Sequence, residues 1–365
     1  SVKIMSVVGT RPNFMKLAPV AREFARRGTV DHGIVHTGQH YDASMSDAFF
    51  TDLSIPVPRY HLAVGEDAPA VQIGVIMTRL DPILERERPD VMMVYGDVNS
   101  TVAAALCAAK RNIRVAHVEA GLRSRDRTMP EEINRLVTDQ LADILYAPSP
   151  DAVENLLAEG IAAERIHFVG NVMIDSLLNT LPRAREADFP GRLGLSDVPY
   201  AIATLHRPAN VDATDRLREL VGALEELSHE MAVLLPLHPR TRRRMRELDI
   251  VPNGGGMLRV LEPLGYLEML GLMESAQLVV TDSGGLQEET TFLGVPCLTV
   301  RPNTERPITV EQGTNRLVAP ERRAIVDGAR SAIRKARHAE PPAIDRWDGR
   351  AAERMVGVLC DGCVY

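Results

Sequence analysis

Three carboxylates lie within one short stretch of this chain, each where a parallel sheet offers side chains to a ligand. Asp97 follows the apolar run 91–95 and Gly96, Glu119 ends the run 115–118, and Glu131 comes straight after Pro130 at the opening of a helix. The runs read as strands. The alanine-rich segment 101–109 between them reads as a helix with Asn99 or Ser100 as its N-cap. Ligands bind outside the carboxyl ends of strands in such βαβ units. A loop with Arg123, Arg125 and Arg127 separates Glu119 from Glu131. Carboxylates set among arginines suit proton transfer on an anionic substrate. The structural alternative has Asp97 capping a helix, Glu119 pairing with Arg123 and Glu131 complementing a helix dipole. Three such residues in one unit weigh toward chemistry.

Cations gather at other strand ends. The strand 3–8 runs into GTRPNFMK, where Gly9 permits a tight turn and Pro12 starts a helix. Arg11 and Lys16 then stand beside a helix N-terminus, which itself favours anions, and make a clamp for phosphate rather than a solvated basic turn. The strand 33–37 ends in Gln39 and His40. Strands 200–204 and 232–236 end in His206-Arg207 and in His238 with Arg240, each just before or around a proline. In LVVTDSGGLQEE the residues Ser283, Gly284 and Gly285 turn a strand into a helix. Without side chains, the two glycines let backbone N–H groups approach a phosphate. Glu289, one turn further on, is placed to accept bonds from ribose hydroxyls. Arg301 and Arg306 face a common anion after the strand 295–300.

The elements that must position these residues alternate strand and helix from the first residues to about 170, a doubly wound parallel sheet. Segment 67–88 reads as an amphipathic helix broken near Pro82. Segment 179–199 holds three prolines, two glycines and no sustained period, and reads as the linker. A second α/β run follows, then helices at 325–336 and 349–359. The expected domains are residues 1–178 with the carboxylates, 199–345 with the nucleotide-holding turn, and a terminal piece 346–365. No G-x-G-x-x-G follows a strand and no G-x-x-x-x-G-K-[ST] occurs, so neither a nicotinamide site nor a P-loop is expected.

Composition narrows the class. The 365 residues are 45% hydrophobic and 25% charged, ordinary for a globular protein. A net charge of −7 with 4% aromatics gives no footprint for nucleic acid. No apolar run reaches the roughly 18 residues of a membrane span. No signal peptide is expected, because the N-terminus itself reads as a buried strand. Of the four cysteines, Cys107 and Cys297 read as core residues. Cys360 and Cys363 form one C-x-x-C without the second pair that a zinc site needs. The expectation is a cytoplasmic protein without metal or cofactor.

Ten segments in order resemble the non-hydrolysing UDP-N-acetylglucosamine 2-epimerases: GTRPNFMKLAP, TGQHYD, GDVNST, HVEAGLRS, DRTMPEEINR, VGNVMID, TLHRPANVD, LHPRT, TDSGGLQEE and NTERPITVEQGTN, spanning residues 9 to 315. The resemblance implies two Rossmann-like domains facing a central cleft, the GT-B arrangement, with the final helix crossing back to the first domain. It implies a UDP-sugar substrate and a homodimer. It makes Asp97, Glu119 and Glu131 the acid–base residues and places His206 by the diphosphate. Arg11 and Lys16 match the basic first loop, and Ser283, Gly284, Gly285 and Glu289 match the part that holds UDP. Arg207, His238 and Arg306 join the substrate-binding set. Gln39 and His40, with His238, fall where some members bind a second, activating UDP-N-acetylglucosamine. The chain departs at Asn13, where many members carry Glu, and at Tyr41-Asp42.

The chemistry follows from the sugar. The hydrogen on carbon 2 is not acidic, but breaking the anomeric bond to UDP gives an oxocarbenium-like centre that makes it removable. The products are a glycal and UDP. Re-addition with protonation from the other face inverts carbon 2, so two opposed proton-transfer groups are needed. Cations near the leaving diphosphate lower the barrier. The rivals are a hydrolysing relative releasing N-acetylmannosamine and UDP, a GT-B glycosyltransferase, and a non-catalytic UDP-sugar sensor. A transferase needs no base for carbon 2.

Overall fold

Runs of valine, methionine and alanine become the central strands of two parallel sheets. In the computed structural model, which describes residues 2–39, 49–252, 255–336, 340 and 342–361, the first sheet carries β1 (Val2–Val8), α1 (Arg11–Arg27), β2 (Val30–His36), β3 (Tyr60–His61), α2 (Pro69–Glu87), β4 (Val91–Tyr95), α3 (Asn99–Lys110), β5 (Arg114–Val118), α4 (Pro130–Leu141), β6 (Ile144–Ala147), α5 (Pro150–Ala158) and β7 (Ile166–Phe168). The strand order is β3-β2-β1-β4-β5-β6-β7, parallel throughout. Every residue of β4 is buried, as strands covered on both faces require. The order reverses between β1 and β4, where Val7 lies opposite Val94. At that reversal the connections leave in opposite directions and open a crevice above the carboxyl ends. The loop before α1 and the turn Gly96-Asp97 flank it.

The remainder runs α6 (Val172–Ala187), α7 (Phe189–Arg192), β8 (Tyr200–Thr204), α8 (Pro208–Val211), α9 (Thr214–Leu227), β9 (Ala232–Pro236), α10 (Pro239–Glu247), β10 (Leu258–Leu261), α11 (Tyr266–Ser275), β11 (Leu278–Thr281), α12 (Gly284–Leu293), β12 (Cys297–Thr299), α13 (Ile308–Glu311), β13 (Asn315–Leu317), α14 (Arg322–Ala336) and α15 (Ala351–Asp361). Its sheet, β10-β9-β8-β11-β12-β13, is again parallel and reverses between β8 and β11, with Thr204 opposite Thr281. The chain divides into two compact units, Ser1–Leu178 with Asp345–Tyr365, and Asn179–Ile344. Each has its own apolar core, one around Leu80, Val94 and Ala104, the other around Leu224, Val233 and Val280.

The last helix belongs with the first sheet for stated reasons. Asp175 on α6 accepts from the backbone N–H groups of Ala351 and Ala352, capping α15. Tyr146 donates its hydroxyl to the Met355 carbonyl. Burial pushes the Asp175 carboxyl up to about 6, against those two N–H groups.

Three local expectations are corrected. Pro82 does not break its helix: α2 runs uninterrupted, because its buried face of Ile76, Leu80, Ile83 and Leu84 outweighs the roughly 3 kcal/mol cost of an internal proline. The segment 179–199, expected as the linker without sustained period, is largely helical. Helix α6 continues to Ala187, with Pro182 inside it, and α7 follows. Neither Asn99 nor Ser100 caps α3. Val98 is the N-cap residue and contributes no side-chain bond.

Candidate active site

At the first reversal the turn after β4 needs a glycine. Gly96 has φ +69, and a Cβ there would lie 3.5 Å from Lys16 Nζ, 3.6 Å from Asn13 Nδ2 and 3.7 Å from Glu119 Oε1. Those side chains, from α1 and from the end of β5, therefore converge on the residue just before Asp97. Lys16 and Glu119 form an ion pair at 3.6 Å with both side chains nearly buried. Glu119 itself sits at φ +73, a conformation costing an L-residue about 1–2 kcal/mol, so its carboxylate is aimed by a strained backbone. Asn13 is a strut. Its Oδ1 accepts from Gly9 N–H, and its Nδ2 donates to the Tyr95 carbonyl. Gly9 is required by space rather than by a tight turn, since a Cβ would come within 2.2 Å of Ser100 Oγ.

Asp97 does not cap a helix. Arg135 on α4 donates to its carboxylate at 2.5 Å, and Asn134 donates to its carbonyl. Glu131 lies one helical turn before Arg135 and so on the same face of α4. It is half-buried, and its carboxylate makes no hydrogen bond or ion pair among the described residues. Its neighbour Glu132 is the opposite case: buried, it accepts from Ser124 N–H, Arg125 N–H and the Arg135 guanidinium. Burial would raise its carboxyl, but those donors hold it below the ordinary carboxylate range. Arg135 thus joins Asp97 to Glu132, and Glu119 pairs with Lys16 rather than Arg123. Arg11 stacks its guanidinium over the Phe49 ring at 4.3 Å. The Gln39 carboxamide oxygen accepts from Ser100 N–H and Oγ, so Gln39 caps α3 from the loop after β2. His40, Tyr41, Asp42 and Cys363 lie outside the described residues.

The second unit repeats the placement at its own reversal. His206 ends β8, and its Nδ1 lies 2.9 Å from Asp282 at the end of β11. The Asp282 carboxylate, fully buried, also accepts from the N–H groups of His206 and Arg207 and from Asn210. Burial would raise it, and His206 with these donors outweighs burial and holds it low. The ring of His238 stands 6.0 Å from that of His206, with its Nδ1 accepting from Arg240 N–H.

Ser283 is the N-cap of α12 and makes no side-chain cap, so the first N–H groups of that helix are open to an anion. The two glycines differ. A Cβ on Gly284 would come within 2.5 Å of Arg306 Nη1, whereas nothing lies within 4 Å of one on Gly285. Arg301 and Arg306 do meet a common anion, and it is Glu305, with Glu288 also on Arg306. Glu289 is buried and accepts from Tyr266 at 2.8 Å.

The sequence matches the protein family described as UDP-N-acetylglucosamine 2-epimerase over residues 22–360. The chain belongs to that family. It is 40% identical to the UDP-N-acetylglucosamine 2-epimerase of Methanocaldococcus jannaschii, over 99% of this chain and 100% of that protein. It is 43% identical to the UDP-2,3-diacetamido-2,3-dideoxy-D-glucuronate 2-epimerase of Pseudomonas aeruginosa, over 92% and 93%. The crystal structure of the Methanocaldococcus jannaschii enzyme with UDP-GlcNAc and UDP superposes with a TM-score of 0.91 at 40% identity, covering 99% of this chain and 100% of that one. This epimerase therefore has the two-domain α/β fold of its solved relatives, and no helix among the described residues is long and apolar enough to cross a membrane.

Sequence reasoning missed the supports of the epimerase site. His117 lies buried in β5 with Nδ1 2.6 Å from Asp139 and Nε2 2.6 Å from the Gly96 carbonyl oxygen. Asp139 also takes Gly121 N–H and Arg123, and Arg123 continues to Glu159. The signal available was a histidine inside an apolar strand beside Glu119, which by itself reads as core.

Proposed function

We propose that this epimerase interconverts UDP-N-acetylglucosamine and UDP-N-acetylmannosamine by eliminating UDP to a glycal and adding it back. The observation that carries the reading is the trio at the first reversal. Glu119 is paired with Lys16, Asp97 is bound by Arg135, and the Glu131 carboxylate has no partner among the described residues. Three carboxylates in such different settings give the separate groups that acid and base duties need. When the anomeric C–O bond breaks, its electron pair leaves with the diphosphate. The carbon 2 proton goes to one carboxylate, and the C–H pair becomes the C1–C2 double bond. In the second unit His206, Arg207, His238 and the N-terminus of α12 are assigned to the diphosphate and Glu289 to the ribose; in the first unit Arg11 and Lys16 are assigned to substrate charge. The anion that Arg306 meets in the free protein is internal, so its part is to hold the wall behind Gly284. Buried Cys107 and Cys297, whose thiols burial pushes up to about 11, suit a reducing cytoplasm, where we place the protein. A homodimer belongs to the same reading, and sedimentation tests it.

Proton NMR in deuterated water is the deciding experiment. Deuterium at carbon 2 of intact UDP-sugar is expected. Free N-acetylmannosamine would instead mark a hydrolase, and no exchange without an acceptor would mark a transferase. The likeness to the Pseudomonas enzyme makes the 2,3-diacetamido uronate nucleotide the second substrate to run in the same tubes.

UDP alone is expected to stabilise the protein by mass action, by about 2.7 kcal/mol at a hundredfold excess over Kd. Gly285→Val should abolish that shift without harming the free fold, because no protein atom lies within 4 Å of the added Cβ. A thermal scan giving the same shift in the variant would remove α12 from the nucleotide site.

A further inference from the structure

We propose that Asp282 is a positioning residue that fixes the tautomer of His206, making Nε2 the nitrogen that meets the substrate's diphosphate. The inference rests on the function proposed above. It starts from a contrast in exposure: the Asp282 side chain is 0% exposed and that of His206 43%. A carboxylate only accepts, so His206 Nδ1 carries the hydrogen in the 2.9 Å contact. In the neutral ring Nε2 then keeps the lone pair, and it makes no hydrogen bond among the described residues. Asp282 is itself immobile. It accepts from the backbone N–H of His206 at 3.1 Å, from that of Arg207 at 3.0 Å and from Asn210 Nδ2 at 3.2 Å. Asn210 is in turn tied to the Val300 carbonyl. The charged and titratable groups around the ring are Asp282 from β11, Arg207 on the entry to α8, and His238 before α10.

The arrangement does more than hold a loop. A backbone brace alone would need the carboxylate to reach only the two N–H groups. Here one oxygen also takes the imidazole, so the ring plane and the proton position are set before substrate arrives. His238 is set the other way: its Nδ1 accepts from Arg240 N–H, which leaves any proton of the neutral ring on Nε2. Two histidines at neighbouring strand ends therefore offer unlike nitrogens, an acceptor from His206 and a donor from His238. Nε2 of His206 is thereby the nitrogen placed to hold a proton against the diphosphate oxygen as the anomeric C–O electron pair leaves. On re-addition the proton stays with the ring. Asp282→Asn removes the charge and offers an N–H where Nδ1 needs an acceptor, which favours the other tautomer.

The first test is nitrogen-15 NMR of the free, full-length protein above the titration of its histidines, with His206 assigned by loss of its signals in His206→Gln. The expected wild-type spectrum has protonated Nδ1 and bare Nε2, and Asp282→Asn should invert it. A bare Nδ1 in the wild type overturns the proposal, and that measurement needs no variant at this position to fold. The second test is a double-mutant cycle on turnover. Asp282→Asn and His206→Gln should each lower kcat about a hundredfold with little change in KM, and the pair should be no slower than either alone. Losses that multiply would mean that Asp282 acts elsewhere. If wild-type protein forms no UDP-N-acetylmannosamine, the proposed function falls, while the tautomer still decides whether Asp282 governs His206.

Discussion

Glu131→Gln is expected to lower turnover on UDP-N-acetylglucosamine by about a hundredfold or more and to leave the urea midpoint unchanged, while Glu132→Gln is expected to lower the urea midpoint itself. The two residues are adjacent in sequence and identical in chemistry, so only their surroundings can separate them. Glu131 holds nothing in the free protein among the described residues, and losing its charge leaves no buried donor without an acceptor. Glu132 is 2% exposed and collects two backbone N–H groups and the Arg135 guanidinium. An amide in its place cannot accept from all of them, at a cost of about 1–3 kcal/mol for each donor left unsatisfied. Asp97→Asn and Glu119→Gln should fall with Glu131→Gln in turnover. Glu119→Gln should in addition lose stability, since Lys16 is buried against it. Stopped assays and urea titrations of the four variants settle the matter. Near wild-type turnover in Glu131→Gln would take that carboxylate out of the reaction.

That pair also marks how far a sequence can be read. The strands were legible because β4 and β5 are short apolar runs closed by a glycine or a carboxylate, and the place of Asp97 and Glu119 at their carboxyl ends follows from that alone. The partners were not legible, because each comes from far along the chain: Lys16 for Glu119, Arg135 for Asp97, Asn13 for the Tyr95 carbonyl. Sequence spacing suggested Arg123 for Glu119 on nearness, but Arg123 lies under the sheet edge with Asp139. Gln39 reads from its motif as a ligand residue. In the free protein its carboxamide does the capping that Asn99 and Ser100 were expected to do. Pro82 and Pro182 read as breakers because a local rule has no access to the tertiary packing that overrides it. Two arginines after a strand suggested a shared anion; in the free protein both meet Glu305 of the same loop, which nothing in their spacing reveals.

The other large effect should appear under the site rather than in it. Asp139→Asn is expected to cost about 3–5 kcal/mol at pH 7, the range for stripping the partner from a buried charge pair. Asp139 is fully buried and holds His117, Arg123 and the N–H of Gly121 together. Gly121 packs closely there, since a Cβ on it would lie 2.4 Å from the Ala152 carbonyl oxygen. Burial would raise the Asp139 carboxyl, but its bonds to His117 and Arg123 outweigh burial and hold the group below the ordinary carboxylate range. A folded pKa below the unfolded one means the folded state binds the proton more weakly. The stabilisation is therefore complete above about pH 4 to 5 and is lost as pH falls through the folded value. Urea midpoints taken from pH 7 down to pH 3 should drop more steeply for the wild type than for Asp139→Asn, the two curves converging in acid. Parallel curves would mean that Asp139 is not the group whose protonation loosens this unit. Because His117 passes the tie on to the Gly96 carbonyl, the variant should also lose turnover at temperatures where it is still folded. That loss should be in kcat rather than KM, the mark of carboxylates held slightly out of place rather than of a substrate bound less well.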